Sequence, residues 1–466
     1  MIPVPGYEGQ AVAVFGLGRT GITAARALIA GGAKVLVWDD NPETRARAQA
    51  AGLELSDLDR ADWAAISALV LSPGVPLTHP QPHRFVIRAR ELGLPVIGDM
   101  ELFATAMLAL PKERRPGIIG ITGTNGKSTT TALIGHILKK AGRDVRVGGN
   151  IGDAVLGLEP PRAHTVFVLE LSSYQLDLVH SLHCDVAIWL NLTEDHIDRH
   201  GDMAGYKAAK FRIFANQTES DLAVVGIDDE PSTAVMTRLK AEHSQQITAI
   251  SSGYSISRGV YALGAKLFDA TGKTCTEIMD LSSVPALPGS HNAQNVAAAY
   301  AAVRHFGVEP EQIAAAIQSF PGLAHRLEFV GAQKGIRFFN DSKATNADAA
   351  AKALASFDTI YWIAGGRKKE GGIGSLAKYF PHITKAYLIG EAAGEFAATL
   401  GPAVPCEIAG TLENAIGLAL RDASSGGRTA PVILLSPACA SFDQFRDFEH
   451  RGDAFRMLVQ SRIGKP

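Results

Sequence analysis

Apolar positions along the chain fall into short β-branched runs, each ending in a turn and followed by a stretch with helical spacing. The first instance is AVAVFGLGRTGITAARALIAGGAKVLVWDD, residues 11–40. A strand over 11–15 ends in glycines, an Ala-rich helix follows, Gly31 and Gly32 close it, and a second apolar run over 35–38 ends at Asp39. Two such runs joined by a helix read as a βαβ unit. AISALVLSPGVP adds a strand that ends in a Ser72-Pro73-Gly74 turn, and LPVIGDMELF completes a small α/β region. After the charged, Pro-rich LPKERRPG the pattern restarts with the strand GIIGITGT. TVFVLE (165–170) and CDVAIWLNLT (184–193) then alternate with helical segments, which predicts a mainly parallel sheet. Short polar strands and turns between 252 and 285 predict an antiparallel patch, and a helix starting near His291 closes the region. Beyond Pro321 the strands IRFFND, TIYWIAGG, KAYLIG and PVILLSP form a third set. The pattern predicts an α/β protein of three domains, over residues 1–110, 111–321 and 322–466.

The segment GITGTNGKSTTTALIGHILKKAG (120–142) carries the most chemistry. An apolar strand feeds a Gly-rich turn, and Lys127 and Ser128 open a helix whose Leu133, Ile134, Ile137 and Leu138 recur at helical spacing. Glycines let backbone N–H groups wrap phosphate oxygens, and the helix N-terminus adds positive potential. In such a phosphate loop Lys127 reaches the β- and γ-phosphates and the Ser128 hydroxyl binds Mg²⁺. The standard spacing puts a glycine at 121, where this chain has Ile, so the loop is a variant. It predicts a central domain of the P-loop ATPase type.

Three features lie downstream. Glu170 ends an apolar strand, where a carboxylate beside a phosphate loop is placed to hold Mg²⁺. The next strand releases Glu194, Asp195, His196, Asp198 and His200, either a solvated loop or a metal site with His196 as ligand. In DMAGYKAAKFRIF (202–214), with Asp202 as a candidate N-cap, Lys210 has Tyr206, Ile213 and Phe214 on its own side of the helix. A lysine there either snorkels or, near a metal, is deprotonated or modified.

Composition narrows the classes. A formal charge of −2 leaves no global basic field, so nucleic acid is not an expected partner and anionic ligands must be held locally. Four scattered cysteines (Cys184, Cys275, Cys406, Cys439), with no C-x-x-C pair, argue against a disulfide framework or thiolate zinc site and fit a reducing compartment. MIPVPGYEGQ lacks a signal-peptide pattern, and no apolar run nears the ~20 residues that cross a bilayer. A cytoplasmic protein without membrane insertion is expected.

Gly16-Leu17-Gly18-Arg19-Thr20-Gly21 matches G-x-G-x-x-G after a strand, with Asp39 downstream as the acid for a ribose. Taken alone, this Rossmann-like loop fits an NAD-dependent oxidoreductase or another phosphate ligand equally. A dehydrogenase has no need of the loop at Lys127; a P-loop switch protein that hydrolyses ATP without an amine acceptor is a further alternative.

The motifs GTNGKST, GGNIG (148–152), LELSSYQL, NLTEDHIDRH, YKAAKFRIF, HNAQN, HR (325–326), NDSKATN (340–346) and SPACASFDQF (436–445) resemble, in that order and over nearly the whole chain, the Mur ligases of peptidoglycan synthesis. GLGRTG and SPACASFDQFRDFEHRG look like the branch that adds D-glutamate. The resemblance implies Rossmann-like first and third domains and an acyl-phosphate mechanism. ATP phosphorylates the L-alanyl carboxylate of UDP-MurNAc-L-Ala, and the amine of D-glutamate displaces phosphate. A relative that adds another amino acid, or a folylpolyglutamate-type ligase, is the alternative within this class.

By resemblance, Gly123, Thr124, Asn125, Gly126, Lys127, Ser128 and Thr129 hold the ATP phosphates, Asn292 and Asn295 contact adenine, and Arg326, Asp341 and Lys343 reach ribose and phosphates. Lys127, Glu170, His196 and Lys210 form the implied catalytic set. Of two Mg²⁺ sites, Ser128 and Glu170 serve one, and His196 and Lys210 the other; the family's lysine at the position of Lys210 is carbamylated. Gly18, Arg19, Thr20, Asp39, Ser72, Asn150, Ser172 and His196 are implied for the UDP substrate, with Arg19 and Thr20 near the diphosphate and Asp39 near uracil. Thr345, Lys369, Ser441, Phe442 and Phe448 are implied for D-glutamate, on a chain expected to act as a monomer. GGRKKEGG is more basic than the family pattern, leaving Lys368 as the alternative to Lys369, and Phe442 stands where the pattern has Leu.

Overall fold

The computed structural model describes every residue except His243, Pro285, Lys369, Glu370 and residues 464–466. The chain divides into two compact units, Met1–Ser283 with Ser290–Gln318, and Val284–Gly289 with Ser319–Pro466.

The first unit carries two sheets. Strands β1 (Ala11–Phe15), β2 (Lys34–Trp38), β3 (Ile66–Leu71) and β4 (Val96–Ile97) form a parallel sheet in the order β2-β1-β3-β4. Val12 and Val14 pair with Val35 and Val37 on one side and with Ala68 and Val70 on the other. The chain leaves β1 toward β2 and returns on the opposite side at β3, so the glycine loop after β1 lies where strand order reverses, the usual ligand crevice of an open parallel sheet.

The second sheet is built from β5 (Gly117–Thr122), β6 (Val145–Gly149), β7 (Val166–Glu170), β8 (Val186–Trp189), β9 (Leu222–Gly226), β10 (Gln246–Ser251), β11 (Gly259–Leu263), β12 (Lys266–Asp269) and β13 (Thr276–Asp280). Its order is β13-β12-β11-β10-β9-β8-β5-β7-β6. Strands β5 to β11 are parallel, while β12 and β13 run antiparallel, so the antiparallel patch read from the sequence extends the edge of the parallel sheet. The two sheets share one apolar core, in which Leu102, Phe103 and Met107 from the first region join Phe167, Leu169 and Trp189 of the second. Glu101 pins the join: its carboxylate accepts the His180 N–H at 2.7 Å, the Ser181 N–H at 2.9 Å and the Ser181 hydroxyl at 2.6 Å.

The second unit holds β14 (Glu328–Gln333), β15 (Ile336–Asn340), β16 (Ile360–Gly365), β17 (Ile383–Ile389), β18 (Cys406–Gly410) and β19 (Val432–Leu435) in the order β14-β15-β19-β16-β17-β18. All are parallel except β14, which pairs antiparallel with β15. Successive strand residues face opposite sides: Phe339 enters the core with Trp362 and Leu354, Phe338 the core with Tyr387 and Phe455. Among the described residues no helix is long and apolar enough to cross a membrane.

Candidate active site

The phosphate loop leaves β5 and enters the helix Lys127–Lys140. The strand continues through Ile121, which pairs with Glu170 on one side and Ile188 on the other, so the chain turns two residues later than the standard spacing expects. The turn is made at Gly123, φ 149°, and Gly126, φ 86°. Ile121 is therefore a core strand residue, and the glycines fall where positive φ is needed.

Asn191, at the end of the strand β8 segment, clamps the loop: its side-chain oxygen accepts the Asn125 N–H at 2.9 Å and its Nδ2 donates to the Asn125 carbonyl at 3.2 Å. The Thr124 hydroxyl donates to the Thr193 carbonyl at 3.1 Å and lies 3.3 Å from the Tyr206 hydroxyl. Thr129 is half-buried and Ser128 buried at the start of the helix. Asn292 and Asn295 face the same helix, where Thr130 donates its hydroxyl proton to Asn295 Oδ1 at 3.2 Å and Asn295 Nδ2 donates to Asn292 Oδ1 at 3.1 Å.

Two lysine amines converge on one carbonyl oxygen. Lys127 Nζ donates to the Gly123 carbonyl at 2.8 Å and to that of Thr124 at 2.9 Å, and Lys210 Nζ donates to the same Gly123 carbonyl at 2.9 Å. Lys210 is 1% exposed, with its amine 4.7 Å from the Tyr206 ring centroid. Burial, and then the charge of Lys127, pull its pKa down to about 6, against the opposing pull of Asp195 and Glu170. The two readings left open by the helical spacing are thereby separated: this amine does not snorkel to solvent.

Glu170 ends β7 at 2% exposure, not as an exposed strand-end acid. Its Oε1 accepts Asn150 Nδ2 at 2.7 Å, and its Oε2 is buried with no hydrogen-bond partner among the described residues. Asn150 thus orients the carboxylate, a role its motif did not signal. A buried carboxylate oxygen without a donor is a costly arrangement and fits a cation. Among the described residues no three His, Cys, Asp or Glu side chains form a metal-binding cluster. That donor set suits Mg²⁺, which is held by one or two carboxylates with water and substrate phosphate. His196 is exposed at φ 56°, with Nδ1 3.2 Å from the Tyr174 hydroxyl and Nε2 3.4 Å from Asp195. Partial burial lowers its pKa, Asp195 opposes this, and Lys210 and Lys127 add to it. Ser172 caps the short helix Ser173–Leu176 through a reciprocal bond with Gln175.

In the first sheet, Gly18 and Arg19 are exposed and Thr20 half-buried at the start of the helix Arg19–Ala30. Ser72 donates its N–H to the Phe15 carbonyl at 2.9 Å, tying the end of β3 to the end of β1. Asp39 holds the loop itself: Oδ2 accepts the Leu17 N–H at 2.6 Å and Oδ1 the Asn41 N–H at 2.8 Å. The acid that a dinucleotide site would direct at a ribose is engaged by its own turn.

The remaining candidates lie on the second unit. Asp341 is buried, accepting the Ser436 hydroxyl at 2.8 Å and the Leu327 N–H at 3.2 Å, with Arg326 nearby. Burial raises its pKa to about 7. A carboxyl whose folded pKa exceeds its unfolded value of about 3.9 favours the protonated form in the folded state. Its contribution to stability is greatest at low pH and falls as pH rises from about 4 to about 7. Melting temperatures of Asp341→Asn and the parent chain, compared across that window, are expected to diverge in favour of the variant as pH rises; a constant difference would contradict this account. Lys343 Nζ lies 5.6 Å from the Phe448 ring centroid, Thr345 is half-buried, Ser441 is buried and Phe442 is 61% exposed. Lys369 lies outside the described residues.

Comparison with known proteins resolves what the geometry leaves general. Residues 10–98 match the MurD-like N-terminal domain of Mur ligases, 121–303 the Mur ligase middle domain, and 325–439 the Mur ligase glutamate ligase domain. The UDP-N-acetylmuramoylalanine–D-glutamate ligase of Phenylobacterium zucineum is 57% identical over 99% of this chain and 98% of the relative. The enzyme of the same name from Caulobacter sp. strain K31 is 56% identical over 100% of this chain and 99% of its own. Among solved structures, the UDP-N-acetylmuramate-alanine ligase of Thermotoga maritima shares the fold at a TM-score of 0.54 and 17% identity, covering 97% of this chain and 99% of that one. A UDP-N-acetylmuramoyl-L-alanyl-D-glutamate–2,6-diaminopimelate ligase does so at 0.59 and 17%, over 88% and 97%. Matched over nearly the whole length of both relatives and by all three domain models, the chain belongs to the Mur ligase family, on the branch of the UDP-N-acetylmuramoylalanine–D-glutamate ligases.

Proposed function

We propose that this chain is the cytoplasmic ligase that joins D-glutamate to UDP-N-acetylmuramoyl-L-alanine at the expense of ATP. The observation that carries the reading beyond nucleotide binding is the pair of amines on the Gly123 carbonyl. Two ammonium groups sharing one acceptor repel, and burial decides that Lys210 is the one to give up its proton. A neutral lysine amine adds to CO₂, giving a carbamate and a proton, which turns a buried cation into a carboxylate-like ligand.

In this reading the L-alanyl carboxylate oxygen attacks the γ-phosphorus of ATP and the bond to ADP breaks. The D-glutamate nitrogen then attacks the acyl carbon, and the tetrahedral intermediate collapses as phosphate leaves and the nitrogen loses its proton. Lys127 leaves its own loop carbonyls for the β- and γ-phosphates, with residues 123–129 around them. Asn292 and Asn295 serve adenine, and Arg326, Asp341 and Lys343 serve ribose and phosphates. Ser128 and Glu170 would hold one Mg²⁺ and His196 with carbamylated Lys210 a second; bound there, the metal neutralises charge between ATP and the acceptor carboxylate. Gly18, Arg19, Thr20, Asp39, Ser72, Asn150, Ser172 and His196 serve the UDP substrate. Thr345, Lys369, Ser441, Phe442 and Phe448 serve D-glutamate, whose two carboxylates suit a lysine and hydroxyls. Residues 1–110, 111–321 and 322–466 divide these tasks.

The test is phosphate release from ATP and UDP-MurNAc-L-Ala with D-Glu, L-Glu, L-Ala and meso-diaminopimelate offered separately. Release is expected with D-Glu alone. Dependence on another amine, or release without any, overturns the assignment.

A further inference from the structure

Arg451, on the helix Phe448–Ile463, is 1% exposed. Its Nε donates to the Ser342 hydroxyl at 2.9 Å, and its Nη2 donates to the carbonyls of Ser342 at 2.9 Å and Cys439 at 3.1 Å. Nη1 is buried with no hydrogen-bond partner among the described residues, and lies 3.1 Å from where a Cβ on Gly366 would stand. Among the described residues no carboxylate oxygen comes within 4.0 Å of the guanidinium, Asp443 acting only from further away. A charge buried without a counter-ion is costly and needs a reason.

The reason lies in what its fork ties together. Ser342 sits between Asp341 and Lys343, and its hydroxyl donates to the Phe448 carbonyl at 2.8 Å. Cys439 leads into Ser441, and the Ala440 carbonyl between them accepts the Arg367 N–H at 2.9 Å. One side chain therefore fixes the segments that carry Thr345, Ser441 and Phe448, and it does so with a positive charge that has no described carboxylate within salt-bridge distance.

We propose that Arg451 is a positioning residue for the amino-acid substrate: its fork sets the spacing of the segments 341–345 and 439–442, and its buried positive charge favours the carboxylates of the incoming amino acid. The proposal rests on the functional reading above. Its test uses the full chain with Arg451→Met and Arg451→Lys, after thermal melting has shown each to be folded. Arg451→Met is expected to raise the KM for D-glutamate at least about tenfold, with the KM values for ATP and the UDP substrate within about threefold and kcat less affected than KM. Arg451→Lys keeps the charge without the fork and is expected to raise the same KM several-fold, less than Met does. If the Met variant does not fold, the Lys variant carries the test alone. An unchanged D-glutamate KM in either folded variant, or a joint rise of all three KM values, overturns the proposal. Should the parent chain use a different amino acid, the functional reading falls, while the same comparison with that amino acid still decides the role of Arg451.

Discussion

Lys127→Ala is expected to lower turnover by at least about 10³-fold while leaving the chain folded. The side chain is half-buried and spans its own loop, with its amine on the carbonyls of Gly123 and Thr124. Truncation removes the charge proposed to meet the β- and γ-phosphates and also the strut that spans the loop. Asn191 still clamps Asn125 from the other side, so the loop is not expected to unravel. Single-turnover phosphate release and denaturant unfolding, measured on the same sample, separate the two effects. A variant with more than about a tenth of parent activity would contradict the role given to Lys127.

The second large effect is expected at Lys210, where stability and activity should move in opposite directions. The amine is desolvated and faces a like charge, so Lys210→Met removes an unfavourable group and fills its space with an apolar chain. The melting temperature is expected to hold or rise, corresponding to about 1 kcal/mol, whereas activity falls by at least about 10³-fold. In Lys210→Ala the shortened side chain leaves room, and formate or acetate should restore part of the lost activity by standing in for the proposed carbamate. Destabilisation of the Met variant would contradict the burial account, and absence of rescue across a series of short carboxylates would contradict the ligand role.

Much of this site was legible because its signals are local. Lys127, Ser128 and the glycines before them lie within one strand–turn–helix, and the semi-buried setting of Lys210 follows from Tyr206, Ile213 and Phe214 at helical spacing. The antiparallel strands near 252–285 were readable from the change to short polar runs. What the sequence hid depends on contacts between distant segments. Nothing around Asn150 announces that its amide steers Glu170 twenty residues on. Asp39 carries the pattern of a ribose ligand yet bonds to Leu17, because turn geometry and ligand geometry demand the same residue type. Arg451 sits in a helix with charged neighbours, and only the packing of β15, β19 and their loops around it reveals a buried cation. The Ile at 121 looked like a gap in a motif and is a strand residue, since β5 runs one residue past it.

The fit between Gly126 and Asn295 bears on how this enzyme could escape an inhibitor. A Cβ on Gly126 would stand 2.2 Å from Asn295 Oδ1, and Asn295 is itself committed to Thr130 and Asn292. Thr130 is 0% exposed, Asn295 2% and Asn292 5%, so a larger residue at 126 would have to displace a packed, hydrogen-bonded group. A compound that draws its affinity from the backbone of this corner would leave single substitutions few routes to resistance, because a change that repels the compound would also dislodge the loop proposed to hold the ATP phosphates.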